Sequence, residues 1–298
     1  MKQDYQQLLK PEIINKVSGL SLIARVVVEG YLSGLNKSRR VGTGMEFSQY
    51  RGYEPGDDMR MLDWKMLARS GRYYIKQAEV ETHIAVKFIL DSSKSMLYAE
   101  DGLSKMDYVR VLVASIAHLA KSQGDAIGLF ALNDHRLYSL FPKIQKQHYN
   151  HILLELINIK NEGKWPGDPL AADKIHDRKH KELIFFITDM YEYNQELTAA
   201  VKRLKTVRNE VVVLHVLGKN EIEFNYKGAA TFEDLETGSR LKVDTKEAKK
   251  KYLEALDLRM NEIKETFLAN GINYQLFRLD EPMGEALHGF LKQRNSLL

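Results

Sequence analysis

The chain has 298 residues, of which 44% are hydrophobic and 28% charged, with a formal net charge of +4 and no cysteine. These figures fit one large globular domain, or a main domain with an appendage. They exclude disulfides and thiolate metal sites, and so mild a positive charge does not by itself require nucleic acid as a partner.

Residues 1–83 form a first region. The stretch "LSLIARVVVEGYLSG" carries apolar residues at helical spacing, and Arg25 and Glu29 break it as a membrane span, so it reads as one amphipathic helix. No other apolar run is long enough to cross a bilayer. The N-terminal "MKQDYQQLLKPEII" has no apolar signal region, which points to the cytoplasm. The rest of this region is dense in charge and glycine, with Trp64 and several tyrosines. The basic clusters "NKSRR" and "KEAKKK" read as solvated surface.

Residues 84–298 alternate strand and helix. "IAVKFIL" (84–90) predicts a strand, followed by a helix over 103–122. A strand over 125–132 can pair with 135–141 through the turn Asn133-Asp134. Helices are predicted near 148–160 and 169–179, then the apolar strand "ELIFFIT" (182–188). A helix over 194–206, a strand over 210–217, a charged helix over 245–269 and a strand over 272–279 complete the series. Segment 218–243 breaks the rhythm and reads as a small β insertion. Uniformly apolar strands separated by helices predict a doubly wound, mostly parallel α/β sheet covered on both faces.

In such a sheet, ligands gather at the carboxyl ends of the strands. "FILDSSKSMLY" runs an apolar strand into Asp91, with Ser93 and Ser95 following at two-residue spacing. A turn or helix cap, a catalytic aspartate and a set of oxygen ligands for a metal are all open readings. Asp-x-Ser-x-Ser alone is weak, arising by chance in roughly one chain in twenty of this length at average composition. Asp189, in "FFITDMY", occupies the equivalent place after a second strand. Two distant segments therefore deliver oxygens to one sheet edge. One carboxylate with two neutral hydroxyls on a tight loop suits a hard divalent cation such as Mg²⁺, which would keep much of its charge for an acidic partner group.

Other chemistries fail on their motifs. "GLNKS" lacks the glycine before lysine of a P-loop, "GTGMEF" lacks the third glycine of a dinucleotide fingerprint, and no nucleophile elbow occurs. A phosphoaspartyl mechanism at Asp91 would want a second aspartate where Ser93 stands. His176 and His180, four residues apart, lack the glutamate of a metalloprotease motif and read as surface polarity.

"LDSSKSM" followed by "ITD" resembles the metal-ion-dependent adhesion site of von Willebrand factor A-type domains. The block "GTGMEFSQYRGYEPGDDMRMLDWKMLARSGRYYIKQAEVE" is similar to the signature of the bacterial domain of unknown function 58 family. Its features are Glu46-Phe47, Arg51, Pro55-Gly56-Asp57-Asp58, Asp63-Trp64 and Ala68-Arg69. "GDAIGLFAL", "FEDLETG" and "LDEPMGEALHGFLKQR" extend the resemblance over nearly the whole chain. It implies a von Willebrand factor A-type fold and a non-enzymatic, cytoplasmic protein working beside a MoxR-type AAA+ ATPase. The implied role is chaperone-like assembly or maturation of an unknown client.

One departure stands out. The adhesion site normally takes a threonine from a loop between the two segments. Here that loop reads "NEGKWPGDPLAAD", without threonine or serine, and Asp168 is the substitute by position, ahead of Asp173. Either an aspartate completes the site or the site is degenerate. A metal-assisted hydrolase using Asp91 and Asp189, and a metal-free scaffold whose serines are caps, stay open as alternatives. In the signature block, "EPGDD" makes a β-turn, and Arg51, Arg60 and Arg69 are placed to pair with Glu54, Asp57, Asp58 and Asp63 or to meet a partner.

Overall fold

The structure, a computed structural model, describes residues 8–35, 47–54, 59, 62–78, 84–167, 175 and 181–295. Contacts divide the chain into two units, residues 1–34 with 84–298, and residues 35–83.

The larger unit opens with α1 (Pro11–Ile14) and α2 (Val17–Leu35). Pro11 stands in the first turn of α1, where its missing N–H costs nothing. In α2, Leu20, Ile23, Ala24, Val27 and Val28 recur at i, i+3, i+4, i+7, i+8 and all are buried. A side chain at Gly19 would collide with the carbonyl of Ile13, so only glycine lets the α1–α2 corner close. The sequence reading grouped this helix with the signature block in residues 1–83. Its apolar stripe lies instead in the core of the α/β unit.

The smaller unit holds β1 (Phe47–Gly52), α3 (Trp64–Ser70) and β2 (Tyr74–Ala78), with β1 and β2 paired antiparallel. The α/β unit then resumes with β3 (Ala85–Asp91), the two-residue strands β4 (Ala99–Glu100) and β5 (Leu103–Ser104), and α4 (Lys105–Ser122). Next come β6 (Ala126–Leu132), β7 (Leu137–Lys143), α5 (Lys146–Asn158), β8 (Glu182–Thr188), α6 (Glu196–Leu204) and β9 (Asn209–Leu217). The chain continues through α7 (Lys219–Glu223), the hairpin β10 (Ala229–Glu233) and β11 (Arg240–Asp244), α8 (Thr245–Ala269), β12 (Asn273–Arg278) and α9 (Met283–Asn295).

Six strands form one sheet in the order β12-β9-β8-β3-β6-β7. All neighbours are parallel except β6 and β7, which pair antiparallel at the edge. Along β3, Val86, Phe88 and Leu90 enter one core with α2, α4, α5 and α9, while Ile89 enters the other with α6 and α8. This alternation is the period-two geometry of a strand buried on both faces. The doubly wound architecture expected from the sequence is the one observed. At the middle of β3, buried Lys87 pairs with Glu182 at 2.5 Å and donates to the carbonyl of Ile175 at 2.9 Å.

Three local features differ from the sequence reading or add to it. Leu103–Ser104 pairs with Ala99–Glu100, and α4 starts at Lys105, two residues later than expected, because the Ser104 hydroxyl accepts from the Asp107 amide at 3.0 Å. The insertion consists of α7 and the β10–β11 hairpin, so it is partly helical. The C-terminal α9 was not anticipated; it buries Met283, Leu287 and Phe290 at helical spacing. The helix expected over 169–179, with His176 and His180, lies outside the described residues, Ile175 excepted.

Candidate functional site

The order of the strands reverses at β3 and β8: the chain leaves β3 for β6 on one side and later returns to β8 on the other. These two strands are direct neighbours, with Leu90 opposite Ile187, so their carboxyl ends open a crevice at the switch point. β3 ends on Asp91 and β8 is followed at once by Asp189. The structure therefore brings Asp91, Ser93, Ser95 and Asp189 together.

Asp91 is nearly fully buried. One carboxylate oxygen, Oδ1, accepts from the Ser93 amide at 3.0 Å, and Oδ2 accepts from the Thr188 hydroxyl at 2.9 Å. Asp91 thus does hold the turn, as the cap reading expected. The serines do not. Ser93 precedes the 3-10 turn Lys94–Leu97 without capping it, and its Oγ faces the Oγ of Ser95 at 2.9 Å. The Ser95 hydroxyl in turn donates to Asp189 Oδ1 at 3.2 Å. Ligand oxygens about 2.1 Å from an octahedral cation lie about 3.0 Å apart at adjacent corners, and the two observed separations match that edge. The donor set fits a hard cation of the Mg²⁺ type. Among the described residues, no three His, Cys, Asp or Glu groups converge closely enough to hold a metal by themselves, so the hydroxyls are indispensable to any such set.

Asp189 is engaged on both oxygens. Oδ1 also accepts from the Tyr191 amide at 3.2 Å, and Oδ2 accepts from Lys105 Nζ at 2.8 Å. Lys105, the first residue of α4, is buried and donates equally to Glu221 Oε1 at 2.7 Å. Glu221 is fixed by the Gly218 amide, 2.7 Å from Oε2. Burial opposes charge on Asp189, yet the ammonium beside it holds its carboxyl below the usual carboxylate range. The same two carboxylates hold Lys105 protonated against its own burial. Asp91 has no such cation. Burial, and after it the charge of Asp189, pushes Asp91 up to about 7.

Three residues of this site escaped the sequence reading. Thr188 sits inside an apolar strand, where a threonine is unremarkable, and its hydroxyl bridges the Met190 amide at 3.0 Å and Asp91. Met190 itself adopts φ +53°, a strained conformation for a non-glycine residue and common at functional turns. His215 of β9, opposite Thr188 in register, places Nε2 2.9 Å from the carbonyl of Asp189 and Nδ1 2.7 Å from the Tyr274 hydroxyl. A carbonyl only accepts, so Nε2 carries the proton and Nδ1 accepts from Tyr274. Burial holds His215 down to about 4, so it is neutral. Lys105 had no spacing signal, because its partners lie 84 and 116 residues away.

A fourth contribution comes from the insertion. Glu236, at the tip of the β10–β11 hairpin, lies beside the Ser93 side chain and faces Asp91 and Asp189. Burial first, then the charges of Asp91, Asp189 and Asp234, pushes it up to about 7.

The middle loop lies against the first. The Asn161 side chain donates to the Ser93 carbonyl at 3.2 Å, and the Lys94 amide donates to the Gly163 carbonyl at 3.0 Å. Gly163 has φ +58°, and a side chain there would collide with the Asp134 carboxylate. Asp168 and Asp173 lie outside the described residues. In the signature block, so do Pro55, Gly56, Asp57, Asp58 and the side chain of Arg51. Asp63 caps α3, accepting from the amides of Lys65 and Met66 at 2.9 and 3.1 Å, while Trp64 is 60% exposed and Arg69 is exposed in the last turn.

The switch-point cluster on a parallel, doubly wound sheet with one antiparallel edge strand defines an α/β protein of the von Willebrand factor A type. The match of residues 49–260 to the family described as protein of unknown function DUF58 is more particular, and the chain belongs to that family. Uncharacterized proteins of Mycobacterium tuberculosis and Mycobacterium bovis are each 22% identical over 234 residues, covering 76% of this chain and 72% of the relative. Among solved structures, the chain is similar to the conserved hypothetical protein BatB from Bacteroides thetaiotaomicron. The TM-score is 0.45 at 14% identity, over 72% of this chain and 99% of that one. It is also similar to the SpRpn10 VWA domain, with a TM-score of 0.39 at 10% identity, over 69% of this chain and 94% of that one.

Proposed function

We propose that the protein is a non-catalytic protein-binding module whose switch-point cluster holds a divalent cation of the Mg²⁺ class. Its working partner is a MoxR-type AAA+ ATPase, and its role is assembly or maturation of a protein client in the cytoplasm. The observation that carries this reading is the mutual approach of Ser93, Ser95 and Asp189 Oδ1 at 2.9 and 3.2 Å, in place of helix capping. Asp91, Ser93, Ser95 and Asp189 would hold the cation, and Asp168 is a further contributor by sequence position. A cation bound there would supply a Lewis-acidic position for a carboxylate of the partner.

The surrounding residues set the character of the site. Lys105 neutralises Asp189 from behind, which leaves Asp91 as the carboxylate with unbalanced charge. Thr188 and the Ser93 amide orient Asp91, and His215 ties down the backbone of Asp189. Against a hydrolase, the imidazole in contact with the cluster among the described residues is His215, and both its nitrogens are occupied by fixed partners. Lys105, committed to two carboxylates, does not take up a proton.

Capture of a MoxR-type ATPase by the wild-type chain, by Asp91→Ala and by wild type with chelator is the test. Loss of capture in the last two supports the reading. Equal capture in all three removes the cation from the mechanism, and no capture in any removes the partnership.

A further inference from the structure

Away from the strand exits, a second cavity of about 380 Å³ opens between Tyr98, α7, the β10–β11 hairpin and the start of α8. Its walls are rings. Phe224 lies 5.2 Å from Tyr226, 5.6 Å from Phe232 and 4.8 Å from Tyr252, centroid to centroid, and Tyr226 meets Phe232 edge-on at 4.9 Å. Phe224, the hub, is buried and adopts φ +49°, a conformation that is strained for a non-glycine residue and recurs at ligand clamps. Leu241, Val243 and Ala248 add aliphatic carbon to the lining. Leu241 is 65% exposed, an apolar side chain left in water at the mouth.

The floor is fixed before any guest arrives. The Tyr98 hydroxyl donates to Glu100 at 2.6 Å and lies 3.2 Å from that of Tyr226. The Tyr252 hydroxyl donates to the Glu221 carbonyl at 2.7 Å, and the Glu221 carboxylate is held by Lys105 and the Gly218 amide. Lys105 also lies over the Tyr98 ring, 5.1 Å from its centroid. The polar atoms of these side chains are thus engaged inside the protein. What the cavity offers a guest is ring and aliphatic carbon, so a guest gains by burying apolar surface there.

The rim decides what carries that apolar group. Lys249 and Lys251 stand one and three residues after Ala248, to either side of the stripe that Ala248 and Tyr252 make on α8. Lys249 bonds the neutral Asn225 at 3.2 Å, and Lys251 is exposed. The carboxylates of α7 have cations of their own, Lys105 for Glu221 and Arg278 for Glu223. Residues 240–251 hold six Lys or Arg side chains against two acidic ones, and Glu233 offsets that of Arg240. A cationic guest, which aromatic rings alone would accept, meets like charge at this rim, whereas an acidic one is drawn in.

We propose that this cavity receives an apolar side chain from an acidic segment of a protein partner, with Lys249 and Lys251 meeting the carboxylates on either side of it. The open mouth at Leu241 lets the rest of the segment run on across the lysines. The run "KEAKKK" then forms the rim of a docking site, beyond the solvated surface its composition indicates. Docking there needs no cation at the switch point.

Panning a random dodecapeptide display library against the full chain, with Leu241→Asp as counter-target, is the test. Peptides that pair Leu, Phe or Trp with flanking Asp or Glu are expected. The most enriched peptide is then synthesised and titrated by calorimetry. Leu241→Asp, which puts a carboxylate at the exposed mouth, should weaken binding about fivefold or more, the loss that marks a contributing interface residue. The double variant Lys249→Glu, Lys251→Glu should weaken it comparably, and its difference from wild type should shrink at about 1 M salt. Leu258, 62% exposed and further along α8 outside the cavity, supplies the control: Leu258→Asp should stay within about twofold of wild type. Enrichment of basic or purely apolar peptides, no enrichment over Leu241→Asp, or equal weakening by Leu258→Asp would each overturn the assignment. So would a wild-type dimer that Leu241→Asp dissociates, since a second copy of this chain would then be the occupant.

Discussion

Lys105 and Asp189 form a buried ion pair, Nζ to Oδ2 at 2.8 Å, with each side chain only 2% exposed. They are 84 residues apart, one opening a helix and the other closing a strand. Between them they decide which carboxylate of the site stays unbalanced. Replacing Lys105 by Met leaves buried Asp189 and half-buried Glu221 without their cation. Breaking such a pair from one side costs about 3–5 kcal/mol. Urea unfolding should show that loss, and adding Asp189→Asn to Lys105→Met should recover part of it. An unchanged midpoint for Lys105→Met would mean that the pair is solvated in solution.

His215 gives a pH dependence of known sign. Its folded value is held down to about 4 by burial, against 6.5 ordinarily. Between these values the unfolded chain binds the extra proton, so the contribution of His215 is complete above 6.5 and is lost as pH falls toward 4. One proton over that window corresponds to roughly 3 kcal/mol. Asp91 and Glu236, pushed up to about 7, act with the opposite sign between about 4 and 7, so the raw stability curve mixes the two. The useful measurement is the stability gap between wild type and His215→Gln at pH 7.5 and at pH 5. The gap should narrow at the lower pH, because both proteins share the carboxylate effect. A constant gap would show that His215 is hydrated.

Adjacent residues of the signature block should separate structure from docking. Asp63 caps α3 with two backbone bonds, so Asp63→Ala should cost about 1 kcal/mol of stability. Trp64, 60% exposed, holds little of the fold together, and Trp64→Ala should leave the unfolding midpoint within about 0.5 kcal/mol. If this block meets the ATPase, capture falls for Trp64→Ala alone. Capture unaffected by Trp64→Ala removes the tryptophan from the interface.

Much of the fold was legible because it follows from local pattern. Strand β8 was bounded residue for residue from "ELIFFIT", since a run of apolar β-formers with a polar residue at each end has one stable use, in the middle of a covered sheet. The long helix α8 was equally plain from its length and charge, over the same residues 245–269. The C-terminal α9 was missed because its apolar residues are few, and their spacing acquires meaning only against Phe185 and Phe277, which its Phe290 contacts.

For the site, the sequence alone determined which oxygens stand at the two strand exits, because strand length and the order of residues along the chain are local properties. Asp91, Ser93, Ser95 and Asp189 could be named from it. Only the tertiary structure decided what surrounds them. Lys105, His215 and Glu236 reach the cluster from a helix, a neighbouring strand and an inserted hairpin, at separations along the chain that carry no periodic signal. Their roles come from burial and charge at short range. Those forces act between residues the fold brings together, whatever their distance in sequence.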